Sequence, residues 1–252
     1  MPPPKILQIF REQIKPGKDT DYRRIEEDAS VICRKMHCPN PYLALTSISG
    51  MSETWFVNGY DSSRTLAKVW EEYGQNATLL TELNRIMARK ADIVFPGQTM
   101  FTHFREDLSQ SSAWDIGRAR FFSITTVQVR PGHVDDYEEI QKTGKGTDPK
   151  GRVVYQVVSG MTDGTFLAIT PLHSVEKAGD ELQKGAGTMG KAERTKVREL
   201  SSAAIISSER RLFALSPSMS YAAKEWIAAD PEFWATPTAA GAAPKGGKKH
   251  SR

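Results

Sequence analysis

Short runs of mixed apolar and polar positions span residues 6–14 and again 121–129. Both stretches are rich in β-branched and aromatic side chains, which predicts a strand in each. A basic residue, Pro and Gly follow each one: Lys15-Pro16-Gly17 and Arg130-Pro131-Gly132. Pro presets φ and Gly permits the reversal, so each triplet is a predicted turn. A helical period follows, with Tyr22 and Ile25, and likewise Tyr137 and Ile140, three apart on one face. The first helix is expected to reach Met36, and the second to stop at Thr143-Gly144-Lys145-Gly146. Pro39-Asn40-Pro41 and Asp148-Pro149 block helix and lead into strands at 42–49 and 152–159. Hairpin turns at Gly50 and Gly160 and third strands at 54–58 and 165–170 come next. Each half then shows a broken helical stretch, 63–73 with 76–90 and 174–184 with 191–203, and a closing strand at 99–104 or 211–215.

The pattern βαββαβ therefore occurs twice, and the residues repeat with it. LQIFREQIKPGKDTDYRRI at 7–25 lies over FSITTVQVRPGHVDDYEEI at 122–140, at a constant offset of 115. Ser49-Gly50-Met51-Ser52 returns as Ser159-Gly160-Met161-Thr162 at offset 110, and Met100-Phe101 as Leu212-Phe213 at 112. Three echoes in one order predict a duplicated unit. The expected fold class is α+β: two tandem ferredoxin-like βαββαβ repeats forming an intrachain α+β barrel. The repeats are placed at 5–105 and 121–216, joined by a linker at 106–120. An aromatic helical extension at 217–237 and a disordered basic tail at 238–252 complete the chain. Helices cover only one face of each sheet, so the second sheet is expected to bury the other.

These features resemble the dimeric α+β barrel superfamily: two such units, a Pro-Gly turn after the first strand and a broken second helix. Phe10-Arg11-Glu12 through Pro16-Gly17 and Tyr22 is similar to the start of NIPSNAP-type members. The resemblance spans most of residues 5–216 and rests on a turn and a packing contact, so it speaks to fold. It implies a set of activities: cofactor-free monooxygenases, including the antibiotic-biosynthesis type, lactone isomerases, haem-binding enzymes and stress-response proteins.

Charge changes the picture little. The net charge of +4 is matched by Lys245, Lys248, Lys249 and Arg252 in the last eight residues, so the body is electroneutral. A specific nucleic-acid partner, which needs a basic face with stacking aromatics, is not expected. No apolar run reaches the roughly 18 residues of a membrane span, and the N-terminus reads as no signal peptide, so a cytoplasmic protein is expected. Cys33 and Cys38 are five apart, roughly 140° around a helix, so two reduced thiols and no metal site are expected.

Candidate chemistry comes from polar residues on strands and from differences between the halves. His103 stands where the second half carries Leu215, and is the candidate proton-transfer residue or, in a haem protein, the axial ligand. Arg11, beside Glu12, maps to Thr126 and is a candidate anchor for an anionic or carbonyl group. Trp55 and Asn58 map to Thr165 and Ala168, with Trp55 a candidate ligand wall. Tyr155, opposite Leu45, is the polar candidate of the second half. These differences point to the first half as the bearer of a site. No nucleotide-binding, serine-hydrolase or zincin motif occurs. The leading expectation is a barrel protein that binds a small hydrophobic or aromatic compound, as a cofactor-independent monooxygenase or isomerase. A non-catalytic NIPSNAP-like scaffold and a haem-binding protein are the alternatives, and a homo-oligomer is compatible with each.

Overall fold

A computed structural model describes residues 1–111, 113–143, 151–174, 176–177 and 190–235. The predicted break at 144–146, the Asp148-Pro149 turn, most of the helix predicted over 174–184 and the tail at 238–252 lie outside the described residues.

The first half contributes β1 (Ile6–Gln13), α1 (Asp19–Met36), β2 (Tyr42–Ser47), β3 (Glu53–Tyr60), α2 (Ser63–Gln75), α3 (Ala77–Ala88) and β4 (Gln98–Phe104). The second contributes β5 (Phe121–Val129), α4 (Val134–Thr143), β6 (Val153–Ser159), β7 (Thr165–Leu172), α5 (Lys191–Ala204) and β8 (Ile205–Leu215). Two short helices, α6 (Lys224–Ala229) and α7 (Pro231–Trp234), follow. The turn glycines Gly17 and Gly132 have φ of 75° and 83°, in the left-handed region where a β-carbon is disfavoured.

All eight strands pair antiparallel in one closed barrel of order β1-β3-β2-β8-β5-β7-β6-β4. Two seams join the halves. At one, Leu45 pairs with Leu215; at the other, His103 pairs with Gln156 and Phe104 with Tyr155. Gly160 fits the second seam because a β-carbon there would overlap the Thr99 carbonyl.

Strand alternation sorts side chains into two layers. Leu7, Ile9, Trp55, Val57 and Met100 point into the barrel and pack with Phe122, Ile124, Leu167 and Phe213 from the other half. Trp55 and Phe213 lie 5.0 Å apart, ring centre to ring centre, so the barrel is filled with side chains. One end is covered by Trp114 and Ile116 of the linker and by Trp226, Phe233 and Trp234 of the extension. Trp234 donates its indole N–H to the Gly117 carbonyl at 2.9 Å. Near the other end, Glu53 accepts from Arg11 at 3.0 Å and from Arg211, tying β1, β3 and β8 together. The outward faces of the sheet carry the helices, and the layer of interest lies there.

Candidate functional site

In the first half the outward face of the sheet and its helices do not close completely. They leave a cavity of about 590 Å³. Its floor is made by Gln8, Phe10 and Glu12 on β1 and Phe56, Asn58 and Tyr60 on β3. The register places Gln8 opposite Asn58 and Phe10 opposite Phe56. Its roof is made by Glu26, Ala29 and Cys33 of α1, Trp70 and Tyr73 of α2, and Leu83 and Met87 of α3. Tyr22, Glu26, Ala29 and Cys33 are spaced four, three and four apart and are all buried, as one inward helix face requires. Trp70, Phe10 and Met87 line the cavity while remaining about half exposed, which gives it an apolar mouth.

The polar end is a buried cluster. The Lys90 ammonium lies 2.6 Å and 2.8 Å from the two Glu12 oxygens and 2.6 Å from Glu26 Oε1. The Tyr22 hydroxyl donates to Glu12 Oε2 at 2.8 Å. Glu26 is 3% exposed and Lys90 4%. Burial pushes the Glu26 carboxyl up to about 7; the Lys90 charge opposes this and the Glu12 charge adds to it. Burial pulls the Lys90 ammonium down, but Glu26 and Glu12 outweigh it and hold Lys90 above its usual value. Burial, with help from Glu26 and Glu12, raises the Tyr22 phenol well above the usual value. The cluster thus combines a fixed cation with a carboxyl group that exchanges its proton near neutrality. A general base is most effective in that range. Tyr60 and Tyr73 are pushed by burial up to about 12, so both remain hydroxyl donors.

The four sequence candidates fall elsewhere. His103 is exposed, between the inward-facing Thr102 and Phe104, and does not line the cavity. The strand register also sets Ala214 opposite Phe121 as His103 is set opposite Ile6, so its counterpart is Ala214 and not Leu215. Arg11 and Trp55 do come together: the guanidinium lies over the indole at 4.9 Å, and Arg11 also bonds Gln98 and Glu53. They sit on the barrel side of the sheet, however, with Trp55 in the packed core. Tyr155 is also in the barrel, its hydroxyl bonded to the Pro4 carbonyl at 2.9 Å and its phenol pKa raised by burial. Each cavity residue of β1 and β3 is a chain neighbour of such barrel residues, Glu12 beside Arg11 and Phe56 beside Trp55, because adjacent strand residues face opposite ways. Glu26, Lys90, Gln8 and Tyr60 were not singled out in the sequence. The carboxylate inside the apolar stripe of α1 was the available signal.

The cysteines require a correction. Cys33 and Cys38 form a disulfide, with Cα atoms 4.7 Å apart. The helix ends at Met36, before Cys38: His37 turns left-handed at φ 54°, and Cys38 N–H bonds back to the Cys33 carbonyl at 3.0 Å. That fold-back brings together thiols that a continuous helix would separate.

The lining of this cavity does not fit haem. Among the described residues, no histidine lines the cavity, and Cys33, which does, is held in the disulfide. Tyr60 and Tyr73 are held protonated, unlike an axial phenolate. Among the described residues there is also no group of three or more His, Cys, Asp or Glu that could hold a metal ion. No described helix is long and apolar enough to cross a membrane.

No family model and no curated protein matches this sequence. Solved structures do match in shape. An anthrone oxidase-like protein aligns at 14% identity with TM-score 0.55, covering 84% of this chain and 92% of its own. A protein named as a candidate monooxygenase from Fusobacterium nucleatum aligns at 14% identity with TM-score 0.54, covering 85% of this chain and 94% of its own. A variant chlorite dismutase from Candidatus Nitrospira defluvii aligns at 9% identity with TM-score 0.51, covering 85% and 92%. At these identities the likeness is one of fold: the chain has the α+β barrel fold of monooxygenase-like and chlorite dismutase-like structures.

Proposed function

We propose that the first-half cavity binds a small hydrophobic or aromatic compound and moves a proton on it without a cofactor, as a monooxygenase or isomerase. The observation that carries this reading is the Glu12–Lys90–Glu26 cluster at the edge of an apolar cavity with an exposed aromatic mouth. The triad has open space in front of it, the setting in which perturbed titratable groups mark a candidate site. The Glu26 carboxylate takes a proton from an acidic C–H or O–H of the substrate and becomes the carboxylic acid. The substrate keeps the electron pair, and the Lys90 charge stabilises the resulting enolate or phenolate. Returning the proton to another carbon is isomerisation. Reaction of the anion of an activated methylene with dioxygen as co-substrate is oxygenation: one oxygen atom enters as the carbonyl and the other leaves as water with the two methylene hydrogens, the substrate itself supplying the electrons. The likeness in fold to a candidate monooxygenase and an anthrone oxidase-like protein favours the second outcome.

The same reading takes the halves as tandem ferredoxin-like repeats of the dimeric α+β barrel superfamily. Their strand orders, β4-β1-β3-β2 and β8-β5-β7-β6, support it. Arg11, Trp55 and Tyr155 are then walls of the barrel that hold the sheet in shape, and the proton-transfer role expected of His103 moves to Glu26.

The test is deuterium wash-in at the activated carbon of an aromatic ketone such as β-tetralone, followed by NMR in D₂O. Exchange above buffer that rises with pH through about 7 and disappears in Glu26→Gln is expected. Equal exchange in that variant would refute the proton-transfer role. A second reading, a non-catalytic NIPSNAP-like scaffold, is favoured by the filled barrel and by the exposed Ile48, Met51 and Val158. It requires that no aromatic compound binds the cavity. Absence of a Soret band after haem addition is expected from the lining, and its appearance would revive the haem alternative.

A further inference from the structure

The cavity has a second polar station, far from the ionised one. Gln8 and Asn58 are register partners on β1 and β3, and both line the cavity. The Tyr60 hydroxyl donates to Gln8 Oε1 at 2.9 Å in a buried hydrogen bond. That bond fixes the amide and leaves Gln8 Nε2 as a donor with no partner among the described residues. The Asn58 amide likewise has no partner among the described residues. Gln8 is four residues from Glu12 on one strand, so their Cα atoms are about 13 Å apart. Between them the floor is purely apolar, Phe10 paired with Phe56.

We propose that Gln8, oriented by Tyr60, and Asn58 select substrates that carry a carbonyl or other neutral acceptor roughly 10 Å from the group that Glu26 deprotonates. The inference rests on the small-molecule reading of the cavity and adds to it a length and a polarity. The substrate is an elongated, mostly apolar molecule with a hydrogen-bond acceptor at one end and the acidic proton at the other. A molecule lacking the acceptor leaves two desolvated amide donors unpaired. Such a loss is how polar pockets reject one-ended analogues. A neutral amide pair suits a neutral acceptor better than a carboxylate, which would also face Glu12 and Glu26.

Three probes separate the possibilities: para-acetyl-para′-hydroxybiphenyl, para-hydroxybiphenyl and para-acetylbiphenyl, titrated by tryptophan fluorescence. The wild-type protein should bind the two-ended probe about tenfold more tightly than para-hydroxybiphenyl. Gln8→Met, near-isosteric and without an amide, and Asn58→Ala should each remove most of that preference. Affinity for para-hydroxybiphenyl should stay unchanged, which also shows that the variants remain folded. A preference that persists in both variants overturns the inference while leaving the cavity reading intact. Equal weakening of all three probes overturns it in the same way. Failure of every biphenyl to bind the wild-type protein overturns both.

Discussion

The two halves share a strand order and the Tyr22/Tyr137 contact with the sheet, yet among the described residues only the first lines a cavity with its ionised cluster; in the second, Arg105 with Asp107 and Glu138 forms a partly exposed cluster at the edge of α4. With β1 and β5 aligned at offset 115, the pairing registers set each outward position of one half against the other. Glu12 corresponds to Val127, Gln8 to Ser123, Phe56 to Ala168 and Asn58 to Thr170. In the second half Val127 stands in place of the Glu12 that accepts from Tyr22, and Tyr137 packs on Phe166 with ring centres 4.5 Å apart. Val127, Tyr137, Val154, Phe166 and Ala168 form one apolar cluster there. The lesson is that the scaffold does not need charge in this layer. At the positions of Glu12 and Phe56 the second half has Val127 and Ala168, so this layer of the fold does not require a charge at Glu12.

The comparison breaks most sharply at Lys90. Lys90→Met removes the cation between Glu12 and Glu26 and leaves one buried and one partly buried carboxylate without compensation. The expected loss is about 3–5 kcal/mol at neutral pH, measured by urea unfolding. The loss should shrink as the pH falls and the carboxylates take up protons. A variant as stable as the wild-type protein would mean that the cluster is solvated and the two halves are energetically alike.

Glu26 gives the next largest effect, and its sign is opposite to that of a stabilising salt bridge. The unfolded carboxyl titrates near 4.5 and the folded one near 7. Between those values the folded state holds the proton that the unfolded state has lost, so stability falls as pH rises, and above 7 the deficit is constant. The shift corresponds to about 3 kcal/mol. Glu26→Gln should flatten this part of the stability–pH curve. An unchanged slope would move the titration to another group.

The disulfide marks a third difference, since α1 is clipped at its end and α4 carries no cysteine. Chain entropy for so short a loop gives about 2 kcal/mol. A dithiol reductant should lower the melting temperature by the corresponding amount, and Cys33→Ser with Cys38→Ser should remove that sensitivity. Because Cys33 roofs the cavity, probe affinity should fall along with stability.

How much of this was legible depends on the period being read. The strands, the Pro-Gly turns and the broken helix followed from β-branched and aromatic runs and turn chemistry: Gly17 and Gly132 take the positive φ expected of them, and the break falls between Gln75 and Ala77. Which face of a strand holds a site was not legible. Arg11 and Glu12 are adjacent and equally polar, yet one enters a packed barrel and the other a cavity. Only α1 and the turn after α3 decide that, through Glu26 and Lys90, which are distant in sequence. The disulfide was hidden by a single left-handed residue, His37, that the helical period gives no reason to expect. The halves were set slightly out of register for a related reason. A constant offset ignores the different hairpin lengths, so Trp55 was set against Thr165 when the pairing sets it against Leu167.

His103 offers the smallest effect and the sharpest contrast with Glu26. It is exposed and makes no hydrogen bond or ion pair among the described residues, and the second half carries Ala214 in its place. His103→Ala should therefore change stability by less than about 0.5 kcal/mol. Deuterium exchange on the ketone and binding of the biphenyls should match the wild-type protein. The prediction separates two ways in which the halves could differ. If the functional difference is the outward polar layer roofed by α1, α2 and α3, an exposed imidazole at the β4 seam is irrelevant to it, and Glu26→Gln and His103→Ala give opposite results in the exchange assay. If His103→Ala instead abolishes exchange while Glu26→Gln spares it, the chemistry lies at the seam between the halves. The cavity would then serve binding alone, and the comparison would have to be drawn at the β4–β6 junction rather than beneath the helices.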